Sequence, residues 1–312
     1  MNYRYSHLCF SFFVFFSIHS YAGQGIFTEP APYTEQQYRV AILDRFFPPA
    51  EGFSSEVQRD HHLALYGLTD IDEDEQAEPF YHGDLVKMLA AHRNINFISY
   101  PIRNNQAPMA DILENLRKIS TRMSVQPIDA LVLSWESSTL ISSFEQPLQK
   151  NKARQYIETV KSMGKESQIW LDTWKIIQEL ELLTLKGVAV YTIAGNGGRR
   201  MINTFSFAQG VITVGASEQE LEHFVANNVF VDTYARAAYQ LVRVDNEAGE
   251  PLGYDLDDDH CIDIPLSRLT GYSNTPKEKY PKTFWKVLRG SSFAAPAAMK
   301  MALLQGMEEP CS

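Results

Sequence analysis

Four short stretches of this 312-residue chain carry side chains suited to acid–base and nucleophilic chemistry. In RGSSFAAPAAMKMALLQGM, at 289–307, a Ser pair follows a Gly and precedes an Ala-rich helical stretch. Ala294, Ala295, Ala297 and Ala298 let that helix sit deep in a domain, and Pro296 is expected in its first turn, where amides are spare. Ser292 is expected to start the helix. There the partial positive charge of the N-terminus favours an oxyanion nearby, although Ser is also a common plain N-cap. VAILD at 40–44 is an apolar strand ending on Asp44. Functional groups gather at the carboxyl ends of strands in open α/β sheets, and a buried Asp can fix a His tautomer and stabilise its charged form; the plainer reading is a solvated Asp. His82, in YHGDLVKMLAAHR at 81–93, begins a helix beside Gly83, which permits close approach of another segment. Histidine is the usual general base for a serine because it titrates near neutrality; an ordinary surface His is the alternative. VYTIAGNGG at 190–198 sets Asn196 on a glycine turn. A side-chain amide placed so can donate to an oxyanion, and Asn-Gly turns also occur without chemistry.

The elements that must position these groups alternate. Apolar runs at Arg39–Leu43, Asn96–Tyr100, Ile128–Ser134, Val188–Ala194 and Val211–Val214 lack strict alternation, as parallel strands buried on both faces do. Between them lie helical stretches at Asp84–His92, Met109–Ile119 and Ser167–Leu185. In the last, Trp170, Trp174, Ile177 and Leu180 or Leu183 share one side, and Gly187 supplies a left-handed cap. The expected fold is α/β: a three-layer, mostly parallel sheet with helices on both faces. Glu51–Glu78 and Asn246–His260 are polar and acidic and are expected as long surface loops.

Taken together and in this order, the segments resemble the subtilase family of serine endopeptidases. VAILD is similar to that family's Asp motif, HGD to its His motif, AGNGG to its oxyanion-Asn motif and GSSFAAP to its Ser motif. GVITVGAS at 210–217 is similar to the strand that follows the oxyanion Asn. The order Asp, His, Ser is the subtilisin order, with separations of 38, 114 and 96 residues from Asp44 through His82 and Asn196 to Ser292. The resemblance runs from Arg39 to Gly306. It implies a subtilisin-like fold in which Ser292 attacks the scissile carbonyl. His82 carries the proton, Asp44 orients His82, and Asn196 with the Ser292 amide holds the oxyanion. It also implies that LVLSWES at 131–137 is the substrate-pairing strand, with Ser134, Trp135 and Glu136 touching substrate. Glu136 takes a place where the family usually has a Gly lining the first specificity pocket, and is expected to favour a basic residue just before the cut. Arg45 and Phe46 follow Asp44 where a small residue and a Gly are usual; a bulky pair there reshapes the site.

No cofactor is required by that chemistry. The resemblance admits calcium, and Asp70–Asp72–Asp74 and Asp255–Asp257–Asp259 alternate as calcium ligands can. Neither has the Gly and distal Glu of a helix-loop-helix site, so solvated acidic loops are the expectation and no metal ligand is assigned.

The net charge of -10, with no basic stripe, argues against nucleic acid as a partner; the resemblance implies a protein or peptide substrate. Arg4, the apolar run Leu8–Ile18 and small residues ending at Ala22 read as a signal peptide over 1–22, too short to span a bilayer. The mature chain, 23–312, is expected as one peptidase domain without a membrane span, secreted or periplasmic. Residues 23–43 are too few for a separate N-terminal prodomain, so folding without a covalent chaperone is expected. Cys261 and Cys311 would remain after cleavage and are expected to pair in an oxidising compartment. Two other readings stay open. One is a binding protein that keeps a subtilisin-like fold with impaired catalysis. The other is an esterase, whose usual frame has Gly two residues on each side of the Ser; here Gly290 precedes and Ala294 follows.

Overall fold

In the computed structural model the described residues are 37–46, 80–103, 107–268 and 283–305. The expected signal peptide, the acidic stretch Glu51–Glu78 with Asp70, Asp72 and Asp74, and Cys311 lie outside them.

The first strands are β1 (Tyr38–Asp44), β2 (Ile95–Pro101), β3 (Ala130–Leu133), β4 (Ser138–Leu140), β5 (Ala189–Ile193), β6 (Met201–Asn203), β7 (Ile212–Ala216) and β8 (Thr233–Ala235). Six of them form one sheet in the order β2-β1-β3-β5-β7-β8, with every neighbouring pair parallel. The helices are α1 (His82–Leu89), α2 (Pro108–Arg122), α3 (Ala153–Met163), α4 (Gln168–Leu185) and α5 (Ser291–Leu303).

The strand β1 shows why the sheet must be sandwiched. Val40 and Ile42 point into one apolar cluster with Leu85, Val86 and Leu89 of α1 and Phe293, Ala295 and Met299 of α5. Ala41 and Leu43 point into another, with Ile112 and Leu116 of α2, Ile157 and Val160 of α3, and Ile177 and Leu180 of α4. Successive side chains of a strand face opposite sides, so an unbroken apolar run requires a layer on each. The three-layer α/β architecture expected from the sequence is what the chain adopts. Helix α4 ends as expected. Gly187 has φ +88°, its N–H donates to the Thr184 carbonyl, and Val188 N–H donates to that of Leu183, a left-handed stop that satisfies the last carbonyls.

A second sheet was not expected. Strands β9 (Ala238–Asp245), β10 (Pro251–Asp255), β11 (Ile264–Pro265) and β12 (Thr283–Arg289) pair antiparallel in the order β11-β10-β9-β12. The stretch Asn246–His260 is therefore not one long surface loop. Asn246 Oδ1 accepts from Ala248 N–H and Glu250 N–H, closing a tight turn, and the chain then returns as β10. The physical reason is burial: Tyr254 and Leu256 are fully enclosed, in the same cluster as α5. This sheet delivers the chain to α5. Arg289 pairs with Ala238, and the next residue, Gly290, donates its N–H to the Ala237 carbonyl at 2.9 Å.

Candidate active site

Strands β1, β3 and β5 are neighbours in the sheet, and their carboxyl ends bring Asp44, Ser134 and Asn196 to one edge. The helices α1 and α5 point their N-termini at the same edge, carrying His82 and Ser292. That edge is where the topology of a parallel sheet leaves room for a site.

His82 is the first residue of α1, and its position depends on Gly83. A β-carbon on Gly83 would stand 2.7 Å from the Arg45 carbonyl oxygen and 2.7 Å from Asp44 Cβ. Without one, Gly83 N–H donates to the Arg45 carbonyl at 2.8 Å, clamping the helix start onto the end of β1. His82 Nδ1 then lies 2.8 Å from Asp44 Oδ2. Asp44 is fully buried, and its Oδ1 accepts the Arg45 N–H at 2.7 Å. Burial of the imidazole opposes its protonation, but the Asp44 charge and hydrogen bond outweigh it, so the His82 pKa is raised from 6.5. The ring also packs against Phe293, centroids 5.4 Å apart, next to Ser292 in sequence. The Asp–His link is thus made. Ser292 Oγ has no hydrogen bond to His82 among the described residues; such a bond is often long before substrate arrives.

Helix α5 begins at Ser291 with Gly290 as its cap. Pro296 consequently lies in the second turn, not the first as expected, because the helix starts five residues before it. A proline there removes the N–H that would bond the Ser292 carbonyl. Ser134 Oγ takes the vacancy, donating to that carbonyl at 3.0 Å, which ties the end of β3 to the Ser292 turn. The backbone N–H of Ser292, in the first helical turn, has no intrahelical acceptor.

Asn196 is oriented by Ser291, the first member of the Ser pair. Its Oδ1 accepts from Ser291 N–H at 2.9 Å and Ser291 O–H at 3.0 Å, and among the described residues Nδ2 has no acceptor. A β-carbon on Gly290 would lie 3.3 Å from both Asn196 Nδ2 and Ser292 Oγ. Gly290, at φ +148°, therefore keeps open the corner between amide and hydroxyl. Two N–H groups, Asn196 Nδ2 and the Ser292 backbone, thus lie on the same side of the turn as Ser292 Oγ.

The segment Ser134–Glu136 borders this corner. Trp135 lies under the Arg45 guanidinium at 5.0 Å, and Phe46 packs against the core on the α1 side. The bulky pair after Asp44 is accommodated by turning one side chain onto Trp135 and the other onto the glycine of α1. Glu136 Oε2 accepts Asn196 N–H at 2.8 Å and Ser138 O–H at 3.0 Å. A second unexpected contributor is Asn203, fully buried. It donates to the Ile193 carbonyl at 2.8 Å and accepts Ser137 N–H at 3.1 Å, clasping the exits of β3 and β5 together. Ser291 was legible in the Ser pair; a lone Asn such as Asn203 carries no pattern.

The acidic run Asp255–Asp259 is solvated only in part: Asp258 and Asp259 are exposed. Asp255 is buried at the end of β10, and its two oxygens accept Asp258 N–H and His260 N–H. Asp257 pairs with Lys300 of α5 at 3.0 Å. Asp263, whose oxygen accepts Leu256 N–H, lies with Asp255 and Asp257 so that one oxygen of each is within 4.8 Å of the others. Burial, opposed by that N–H and reinforced by the neighbouring carboxylates, pushes its pKa up to about 7. These oxygens could face a cation, and much of their bonding capacity is already met by N–H groups and Lys300. Among the described residues, no helix is long and apolar enough to cross a membrane.

No family model matches the chain, and no curated protein matches it. Among solved structures, the chain is similar to the prenylagaramide maturation protease PagA, at 14% identity and a TM-score of 0.45 over 87% of this chain and 76% of the other. It is similar to the protease domain of PatA at 14% and 0.45, over 87% and 81%. It is also similar to EpiP, an epidermin leader-peptide processing serine protease from Staphylococcus aureus, at 12% and 0.43, over 86% and 64%. At these values no role passes from those proteins to this one, and the chemistry rests on the residues above.

Proposed function

We propose that this chain is a serine endopeptidase that hydrolyses peptide bonds through Asp44, His82 and Ser292. Ser292 Oγ attacks the scissile carbonyl while His82 Nε2 takes its proton. Asp44 holds Nδ1–H and stabilises the imidazolium. The negative carbonyl oxygen is received by Asn196 Nδ2 and Ser292 N–H. Collapse expels the amine, protonated by His82, and a water repeats the sequence on the acyl-enzyme with His82 again as base. No cofactor is needed. The observation that carries this reading is the buried Asp44 carboxylate 2.8 Å from His82 Nδ1, on the sheet edge shared with Asn196 and Ser292. The GSSFAAP and AGNGG segments support it from the sequence side. The segment Ser134–Glu136 would pair with extended substrate. Export to a periplasm or beyond, with Cys261 bridged to Cys311, belongs to the same reading.

The test is cleavage of an unfolded protein substrate by the purified chain and by Ser292→Ala. The parent should cut and the variant should lose about five or six orders of magnitude in kcat, as a triad that works as a unit does. Cleavage that survives in S292A would assign the activity elsewhere.

A further inference from the structure

Two residues, Arg236 and Ala237, separate β8 of the parallel sheet from β9 of the antiparallel one. The chain turns there, and a carboxylate holds the turn. Glu218 Oε1 accepts Ala237 N–H at 2.8 Å and Ala238 N–H at 2.9 Å, and Oε2 accepts Ala237 N–H at 3.0 Å. Glu218 reaches the turn because it lies two residues beyond the end of β7, and the chain there still runs beside β8: Ser217 N–H donates to the Ala235 carbonyl. Ala237 is fully buried, so its polar groups must find partners within the protein. Its carbonyl accepts Gly290 N–H at 2.9 Å. Gly290 in turn forms the corner between Asn196 Nδ2 and Ser292 Oγ, each 3.3 Å from where its β-carbon would stand. A line of bonds therefore runs from the Glu218 carboxylate, through one buried residue, to the turn that carries the nucleophile. Arg236 completes the joint. Its Nε donates to the Ala238 carbonyl and its Nη1 to that of Asp257.

We infer that Glu218 is a positioning residue: its carboxylate fixes the Arg236–Ala238 turn and, through the Ala237–Gly290 bond, the placing of Ser292 Oγ against Asn196 Nδ2. This inference rests on the peptidase reading above. The geometry of the peptide unit carries it. The Ala237 carbonyl and the Ala238 N–H belong to one planar amide. Glu218 grips that plane by its N–H, and Gly290 is held by its carbonyl. Without the carboxylate, the N–H groups of Ala237 and Ala238 lose their acceptor and the plane is free to tilt toward another. The carbonyl tilts with it, and Gly290 loses its anchor. The hydroxyl and the amide must be in register when the tetrahedral centre forms, a state that exists only after attack. Misplacement therefore raises the barrier to chemistry and leaves binding of the extended peptide largely intact, so kcat should fall while KM holds.

The experiment compares the parent with Glu218→Ala, Glu218→Asp and Glu218→Gln on one peptide substrate. The fluorophosphonate adduct on Ser292 at saturation counts competent molecules, so kcat is expressed per labelled molecule and partial misfolding drops out. E218A removes the acceptor and should lower kcat by about tenfold or more with KM little changed, since a catalytic group displaced by about 1 Å costs about a hundredfold. E218D keeps the charge, withdraws the oxygens by one methylene and should fall likewise. E218Q loses the charge and keeps Oε1, the oxygen with the two shorter bonds, and should recover kcat to within about threefold of the parent. If E218A yields no folded protein, the contrast between E218D and E218Q decides alone. Variants that match the parent within about twofold in kcat, or a loss confined to KM, overturn the inference. So does E218Q slowed with E218D unimpaired, which would make charge rather than reach the cause. Each of these failures, in a parent that labels and cuts, leaves the peptidase reading standing. If the parent itself takes no label and cuts nothing, that reading fails and takes the inference down.

Discussion

At the scale of single residues, His82 is held between two opposing effects. Burial disfavours its charged form and Asp44 favours it, with Asp44 prevailing. The base is competent only when neutral, so kcat/KM should rise with pH through an apparent pKa above the ordinary 6.5 of histidine. Asp44→Asn should move that midpoint down, measured from a pH–rate profile; a midpoint indifferent to the substitution would mean that Asp44 does not act on His82. Asp44 and Asn196 were readable as distinctive types where apolar runs end, and His82 and Ser292 as distinctive types where helical stretches begin. Asp44, His82, Asn196 and Ser292 fall on the same sheet edge. What was not readable is how their neighbours are used. Glu136 looked like a free acid lining a pocket, and its engagement with Asn196 depends on a turn 60 residues away. Arg45 looked obstructive, and its resting place on Trp135 depends on β1 and β3 lying side by side.

At the scale of elements, the site is held by bonds between strand exits rather than by any one helix. Asn203 is the clearest case, with both ends of its amide bonded to the backbone of other segments. Replacing Asn203 with Ala leaves a buried N–H and a buried carbonyl unpaired, which should cost about 2–4 kcal/mol of folding stability. Urea unfolding followed by far-UV circular dichroism measures this; a change below about 0.5 kcal/mol, the level of a neutral surface substitution, would show the clasp to be replaceable. The start of α5 makes the same point. Pro296 leaves the Ser292 carbonyl without a helical donor, and Ser134 from β3 supplies one. Read from sequence, with the helix expected to start at Ser292, Pro296 suggested only a tolerant first turn; the observed start at Ser291 puts it in the second.

At the scale of the whole molecule, the parallel sheet was legible and the antiparallel one was not. The five expected apolar runs correspond to β1, β2, β3, β5 and β7; the central β1, β3 and β5 are covered on both faces and are apolar almost throughout, while the edge strand β2 is only partly buried. Strand β10 lies inside the acidic stretch Asn246–His260, where buried Tyr254 and Leu256 stand among Asp255, Asp257, Asp258 and Asp259, so it reads as a loop. The cluster beside β10 makes a prediction for the fold. Asp263 keeps its proton up to about pH 7 when folded, against an ordinary value of 3.8. An unfolded chain ionises it earlier, so its contribution erodes stability as pH rises from about 4 to 7 and leaves it lowered above that. Asp263→Asn should therefore be more thermally stable than the parent at pH 8, with the gap closing toward pH 4. A gap independent of pH would contradict the raised pKa.

The central claim is that Ser292 is a nucleophile activated by His82 and Asp44. Its most direct test is covalent: treat the folded protein with a fluorophosphonate and locate the adduct by peptide mass spectrometry. The account predicts a single adduct on Ser292, lost in Ser292→Ala and strongly slowed in His82→Ala. A folded, monodisperse protein that takes no label at Ser292 would contradict it and leave a binding protein built on the same frame.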